Sequence, residues 1–337
     1  MRTPHILTTI VAVALAGKAI AAEVNVYSAR QDSLIVPLLD RFTKKAGIEV
    51  NLITGTANAL LSRIQAEGAA TPADVLVTVD AGNLHRAKEA GVLAAVNSST
   101  LAEKIPANLR DMDNQWFGLT IRSRPIFYAK DRVNPSELST YEALTDSQWN
   151  KRICIRSSSN IYNQSLVASM IEANGADATL QWAEGLVSNL ARKPAGGDTD
   201  QLRAAASGQC DLAIANTYYF GRLIDSKKPE DREVVQKLGV FWPNQTDRGA
   251  HINVSGMGVT RNAKNRAEAI QLLEFMVSED AQAYYAEINH EYPVVQGVAP
   301  SPTIASLGEF RSDALNLSTL GVNNRDAVKL MDRAGWQ

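Results

Sequence analysis

Neither sign of charge dominates this chain of 337 residues, whose formal net charge is −2. The concentrated positive field that a nucleic-acid or membrane-surface binder needs is therefore missing. Aromatic residues make up only 6% of the chain, too few for a dense aromatic box around an organic cation. Cysteine is down to two residues, Cys154 and Cys210, and they are not spaced as a metal-binding pair. Long apolar runs are absent as well: residues 6–17 form an apolar stretch well short of the roughly 20 residues that span a bilayer. The usual catalytic signatures are missing too, with no G-x-S-x-G, H-E-x-x-H, P-loop or G-x-G-x-x-G. His85, His251 and His290 are scattered without i,i+4 partners, so no metal or catalytic role is read from them, and an enzyme is not expected.

What is present begins with a leader. A short basic start at residues 1–5, the apolar run and Ala19-Ile20-Ala21 have the order of a secretory signal peptide over residues 1–22, cut after Ala21 or Ala22. No lipobox cysteine follows it, so the expected location is free in the periplasm. In an oxidising space an even cysteine count suggests a disulfide between Cys154 and Cys210, each in an apolar β-like run. Two separate buried thiols are the alternative.

The length fits two domains. Residues 23–79 alternate strand and helix patterns three times, as in a doubly wound lobe. A long extended run at residues 117–128 reads as a strand that leaves this lobe. The rhythm resumes with helices expected at 160–173 and 178–190 and strands near Ile153 and Leu212. A second extended stretch, from Val240 to Val259, reads as the return. The expected architecture is α/β: two doubly wound lobes joined by a two-strand hinge. The boundaries are 23–120 plus 245–296 for the N-terminal lobe, and 121–244 plus 297–337 for the C-terminal lobe. A cleft between lobes is the preferred place for a ligand.

Tyrosines stand at the strand ends that would face such a cleft. Tyr27, Tyr162 and the pair Tyr218-Tyr219 each follow a β-like run and precede a helical pattern. A second pair, Tyr284-Tyr285, lies inside a helical pattern and reads as packing. A set of phenols suits a hard, acidic cation. A phenol titrates near pH 10 and must lose its proton on binding. Ferric iron is acidic enough to displace that proton near neutral pH, whereas calcium is not. Four phenolates on Fe(3+) leave one negative charge, which Arg122, Arg124 and Arg222 are placed to offset. The first two alternate on the crossing strand and so are expected to share a face.

Three segments carry a resemblance: Val26-Tyr27-Ser28-Ala29-Arg30, Ser158-Ser159-Asn160-Ile161-Tyr162-Asn163-Gln164 and Ala215-Asn216-Thr217-Tyr218-Tyr219. Together with Glu291-Tyr292-Pro293-Val294, they resemble the periplasmic ferric-ion-binding proteins of ABC-type iron importers along nearly the whole mature chain. The resemblance implies a transferrin-like clamp of the type II periplasmic-binding-protein (Venus-flytrap) class. It implies Fe(3+) held by Tyr27, Tyr162, Tyr218 and Tyr219, with water or a carbonate-like synergistic anion completing the coordination. It also implies a monomer that works with a membrane permease and an ATPase, neither embedded in the membrane nor bound to nucleic acid. Relatives often have a histidine just before the first tyrosine, where this chain has Val26, so no histidine ligand is implied. The rival readings are a periplasmic binding protein for a small anion or a polyamine, and a secreted enzyme.

Overall fold

The structure is a computed structural model that describes residues 22–337; the expected signal peptide lies, all but its last residue, outside them. The chain opens with β1 (Glu23–Ser28), α1 (Asp32–Ala46), β2 (Glu49–Thr54), α2 (Ala57–Glu67), β3 (Val75–Val79), α3 (Ala81–Glu89) and α4 (Ser99–Lys104). It crosses over through β4 (Phe117–Ser123) and β5 (Ile126–Ala129). The second lobe holds β6 (Ile153–Cys154), α5 (Ile161–Asn174), α6 (Ala176–Ser188), α7 (Asp198–Ala206), β7 (Leu212–Ile214), α8 (Thr217–Ile224), α9 (Pro229–Lys237) and β8 (Leu238–Phe241). The return brings β9 (Ile252–Val259), α10 (Arg266–Met276), α11 (Glu279–Asn289), β10 (Tyr292–Pro293), α12 (Pro302–Ala305), α13 (Ser318–Val322) and α14 (Asn324–Arg333).

Two sheets result. The larger has the order β10-β4-β9-β3-β1-β2 and the smaller β6-β7-β5-β8. In the first, β1 runs parallel to β2 and β3, as the alternating strand and helix pattern predicts. The strand β9, wholly buried, lies antiparallel between β3 and β4. Each lobe is thus wound on parallel strands, and each sheet is completed by antiparallel crossing strands.

The expected single strand over residues 117–128 is two strands in two sheets. Arg124 and Pro125 separate them, and Pro125 has no N–H to give to a ladder. Ser123 and Arg124 are instead tied to the return strand, because both donate to the carbonyl of His251, at 2.8 and 3.2 Å. The strand β4 keeps its place in the larger sheet as far as Ser123.

Side-chain alternation in the small sheet separates two cores. Ile126, Ile153, Leu212 and Ile214 face one core, together with Leu166 and Trp182. Phe127, Cys154, Ala213 and Ala215 face the other, with Leu202 and Phe220. The first lobe has one continuous core, in which Val24, Val26 and Ile35 are fully buried.

The C-terminal tail does not all join the second lobe, as the 297–337 assignment expects. Leu317 and Leu320 belong to the first-lobe core, whereas Ala327, Leu330, Met331 and Trp336 belong to the second. The tail is therefore shared by both lobes, with α13 against α3 and α5. Gly321 allows this approach, since a side chain there would collide with His85.

Candidate metal centre

The strands β6 and β7 are parallel neighbours, with Ile153 beside Leu212 and Cys154 beside Ala213. Their C-terminal ends therefore leave the same edge of the sheet, and the helices that follow start side by side. Asn160 caps α5 by accepting from the Tyr162 amide at 3.0 Å, and Asn216 occupies the corresponding place before α8. This geometry brings Tyr162 together with Tyr218 and Tyr219. The expected Cys154–Cys210 disulfide is formed, with Cα atoms 5.9 Å apart, and it joins these two strands.

Arg124 joins the same two helix starts from behind. Its guanidinium donates to Asp198 at 2.7 Å, to Asn216 at 3.0 Å and to Asn163 at 2.8 Å. Asp198, at the start of α7, also accepts from the Asn216 amide at 2.8 Å. Arg124 is fully buried and both of its terminal nitrogens are engaged, so it holds the starts of the tyrosine-bearing helices together. Arg122 goes the other way. It pairs with Glu291 at 2.7 Å, and its guanidinium lies 5.7 Å from the centre of the Tyr218 ring. The two arginines do not share a face, because the strand that carries them ends at Ser123.

A cavity of about 130 Å³ lies where these elements meet the first lobe. The second lobe lines it with Tyr162, Tyr218, Tyr219 and Arg222. The first lobe lines it with Ala29, Arg30, Gln31, Leu34 and Val79, and Glu291 closes it. The rings of Tyr218 and Tyr219 are 4.3 Å apart, and Arg222 stands 5.1 and 5.7 Å from their centres. Burial and the neighbouring Tyr219 push the Tyr162 phenol up to about 12. Burial, Tyr162 and Tyr219 push the Tyr218 phenol well up too. These two phenols are thus neutral at neutral pH.

Glu291 is 2% exposed and is held by Arg122, by Arg30 at 3.3 Å and by the Thr120 hydroxyl. Burial alone would raise its pKa, but the two guanidiniums hold the carboxylate down at about 2. Arg30 and Arg122 share this one carboxylate, and Arg124 and Arg156 share Asp198. With Arg222 added, guanidiniums outnumber carboxylates around the phenols.

Tyr27 does not join the other three. Its residue is inside β1, not at the strand end, and it is paired with Ile53 and Leu76. Residues so paired share a face, and this face turns toward α2. The Tyr27 hydroxyl accordingly donates to Glu67 at 2.9 Å, and its ring lies beneath Arg63 at 5.0 Å. Val26, on the opposite face, is completely buried in the core, so the position compared with a histidine does not reach the cleft either. The first lobe instead offers Arg30 and Gln31, in the turn between β1 and α1. Neither was singled out by the sequence, and a signal for them exists only in the length of β1. Arg156 was missed also, since nothing in the sequence ties it to Asp198. Tyr284 and Tyr285 lie on α11, as expected, and Tyr285 packs in the first-lobe core.

The bacterial extracellular solute-binding protein family model matches residues 38–312. Iron uptake protein A1 of Synechocystis sp. is 51% identical over 315 residues, 94% of this chain and 88% of that protein. Among solved structures, a Trichodesmium protein in complex with iron and citrate ligands is 52% identical, with a TM-score of 0.92 over 94% of this chain and 100% of its own. A ferric binding protein from Campylobacter jejuni is 39% identical, with a TM-score of 0.88 over 93% of this chain and 100% of its own. Both structures share the two-lobed type II architecture built here from two sheets and a pair of crossing strands. The chain belongs to the bacterial extracellular solute-binding protein family.

Proposed function

We propose that the protein binds ferric iron as its cargo in the interlobe cleft and delivers it to the permease and ATPase of an ABC importer. Tyr162, Tyr218 and Tyr219 are the protein's ligands in this reading, each giving up its phenol proton to solvent as its oxygen takes the metal. The observation that carries it is the convergence of three phenols, from two adjacent helix starts, in one arginine-walled cavity. Helix N-termini favour negative charge nearby, which supports phenolates at these positions.

Three phenolates neutralise Fe(3+), and the surplus guanidiniums then favour an additional anion. A small oxygen-donor anion, such as citrate or carbonate, would fill the coordination sites for which the first lobe offers no phenol. The similar Trichodesmium structure contains iron with citrate, which supports this assignment. The same guanidiniums oppose a polyamine. Residues 23–123 with 252–296 form the first closing body in this proposal, and the small sheet with its helices forms the second. The periplasm is the proposed location, in keeping with the 27% identical Fe(3+)-binding periplasmic protein of Serratia marcescens. Among the described residues no helix is long and apolar enough to cross a membrane.

Purified apo-protein mixed with ferric citrate should develop a visible phenolate-to-iron charge-transfer band and gain thermal stability. Tyr162→Phe, Tyr218→Phe and Tyr219→Phe should each weaken or shift the band. A protein that stays colourless and melts unchanged would end the proposal.

A further inference from the structure

Apart from the phenols, one residue of the first lobe reaches across to a tyrosine-bearing helix. Asp80 follows Val79, which lines the cavity, and stands between β3 and α3 with φ at 74°, a backbone region that residues other than glycine seldom occupy. Two bonds to the return strand β9 hold the backbone there. The Asp80 amide donates to the Val254 carbonyl at 2.8 Å, and the Ala81 amide donates to the Asn253 side chain at 2.8 Å. The Asp80 carboxyl caps α3 by accepting from the Gly82 amide at 2.9 Å, and the same oxygen accepts from the Ser165 hydroxyl at 2.6 Å. Ser165 belongs to α5, whose next residues, Leu166 and Val167, lie in a second-lobe core. It stands three positions after Tyr162, on the same side of the helix. Asp80 and Ser165 are both fully buried. Gly82 permits this approach, since a side chain there would press on Ile161 at the start of α5. The same two lobes are spanned at α13, where the Ser318 hydroxyl donates to Asp111 of the first lobe at 3.4 Å and the Asn323 amide donates to the Ala168 carbonyl of α5 at 3.3 Å.

We propose that Asp80 is a positioning residue for the cargo site: through Ser165 it latches α5 to the first lobe, and so fixes where Tyr162 stands when the lobes are closed. This rests on the ferric-iron reading given above. The second oxygen of the buried Asp80 carboxyl has no partner among the described residues, so the Ser165 hydroxyl is one of two donors that offset its desolvation. Once the lobes part, water reaches both oxygens. The bond therefore favours the closed form alone and resists separation of the lobes after the metal has entered. Strained backbone persists only where its surroundings over-determine it. At Asp80 the two bonds to β9 do so, and what they secure is this reach between lobes.

The test follows the charge-transfer band in Ser165→Ala, Asp80→Asn and the double variant. Uptake is timed on mixing apo-protein with ferric citrate, and release on adding a competing chelator to the loaded protein. Loss of a hydrogen bond made only in the closed form should speed release in Ser165→Ala about 10-fold and leave uptake within about 2-fold of the wild type. Asp80→Asn keeps an acceptor for the α3 cap and suits the positive φ, but it weakens the bond to Ser165, so release should quicken about 3-fold. In the double variant, alanine should add less than about 3-fold to the effect of Asp80→Asn, because the bond it removes is already weak. A serine that serves only second-lobe packing would give the same factor in both backgrounds. Release from Ser165→Ala at the wild-type rate, or equal factors in the two backgrounds, would overturn the inference while the ferric-iron reading stands. A wild type with no charge-transfer band would overturn that reading, and the inference with it.

Discussion

The number of phenols that bind iron can be counted as protons. Burial holds the Tyr162 phenol up at about 12 and the Tyr218 phenol well above its ordinary value. Across about pH 6.5 to 7.5, where ordinary carboxylates are already ionised and phenols are not, each ligand phenol must release one proton per iron bound. Three ligands make the logarithm of the iron affinity rise by about three per pH unit, corrected for the chelator's own protons. At 1.36 kcal/mol per logarithmic unit this is about 4 kcal/mol between pH 6.5 and 7.5. Tyr218→Phe or Tyr219→Phe should reduce the slope to about two. Tyr27→Phe should leave it at three, because that hydroxyl donates to Glu67 away from the cavity. The assay is competition against a ferric chelator at fixed citrate, followed at the charge-transfer band. A slope of four that falls to three in Tyr27→Phe would refute the geometry, and a slope near one would refute the three-phenol site.

Glu291 and the disulfide offer independent checks on what supports the site. Glu291→Gln leaves Arg30 and Arg122 buried without their shared carboxylate, and should destabilise the apo-protein by about 3–5 kcal/mol in a denaturant melt. The Glu291 pKa is depressed on folding, from an ordinary value near 4.3 to about 2. Its contribution is therefore present above about pH 4.3 and lost as the pH falls toward 2, and acid titration of stability should show that loss in the wild type but not in Glu291→Gln. Replacing both Cys154 and Cys210 with alanine opens a loop of 56 residues and should cost on the order of 4 kcal/mol. If both tyrosine-bearing strands depend on that link, the double variant should also bind iron more weakly after correction for unfolding.

Much of the site was legible because it obeys local rules. A strand and then an asparagine at the N-cap position precede both tyrosine-bearing helix starts, and parallel neighbours put such ends on one edge. Tyr27 is placed away from the other three tyrosines for an equally local reason. A tyrosine near the end of an apolar run looks the same whether the strand stops before it or one residue after it. Because side chains alternate along a strand, that single residue decides which face the phenol takes. Arg122 and Arg124 part in a similar way, since alternation holds only while the strand lasts, and Pro125 breaks the run beside them.

The sequence by itself determined the two-lobed α/β design, the crossing strands, the disulfide and the three phenols of the second lobe, because hydrophobic periodicity and cap residues act within a few positions. Tertiary structure alone decided the rest. It turned Tyr27 toward Glu67, put Glu291 between Arg30 and Arg122, and let Asp198 bring Arg124 and Arg156 to the backs of the phenols. These pairings span sequence separations from 40 to 261 residues, and no local pattern encodes which distant charge a buried group will meet.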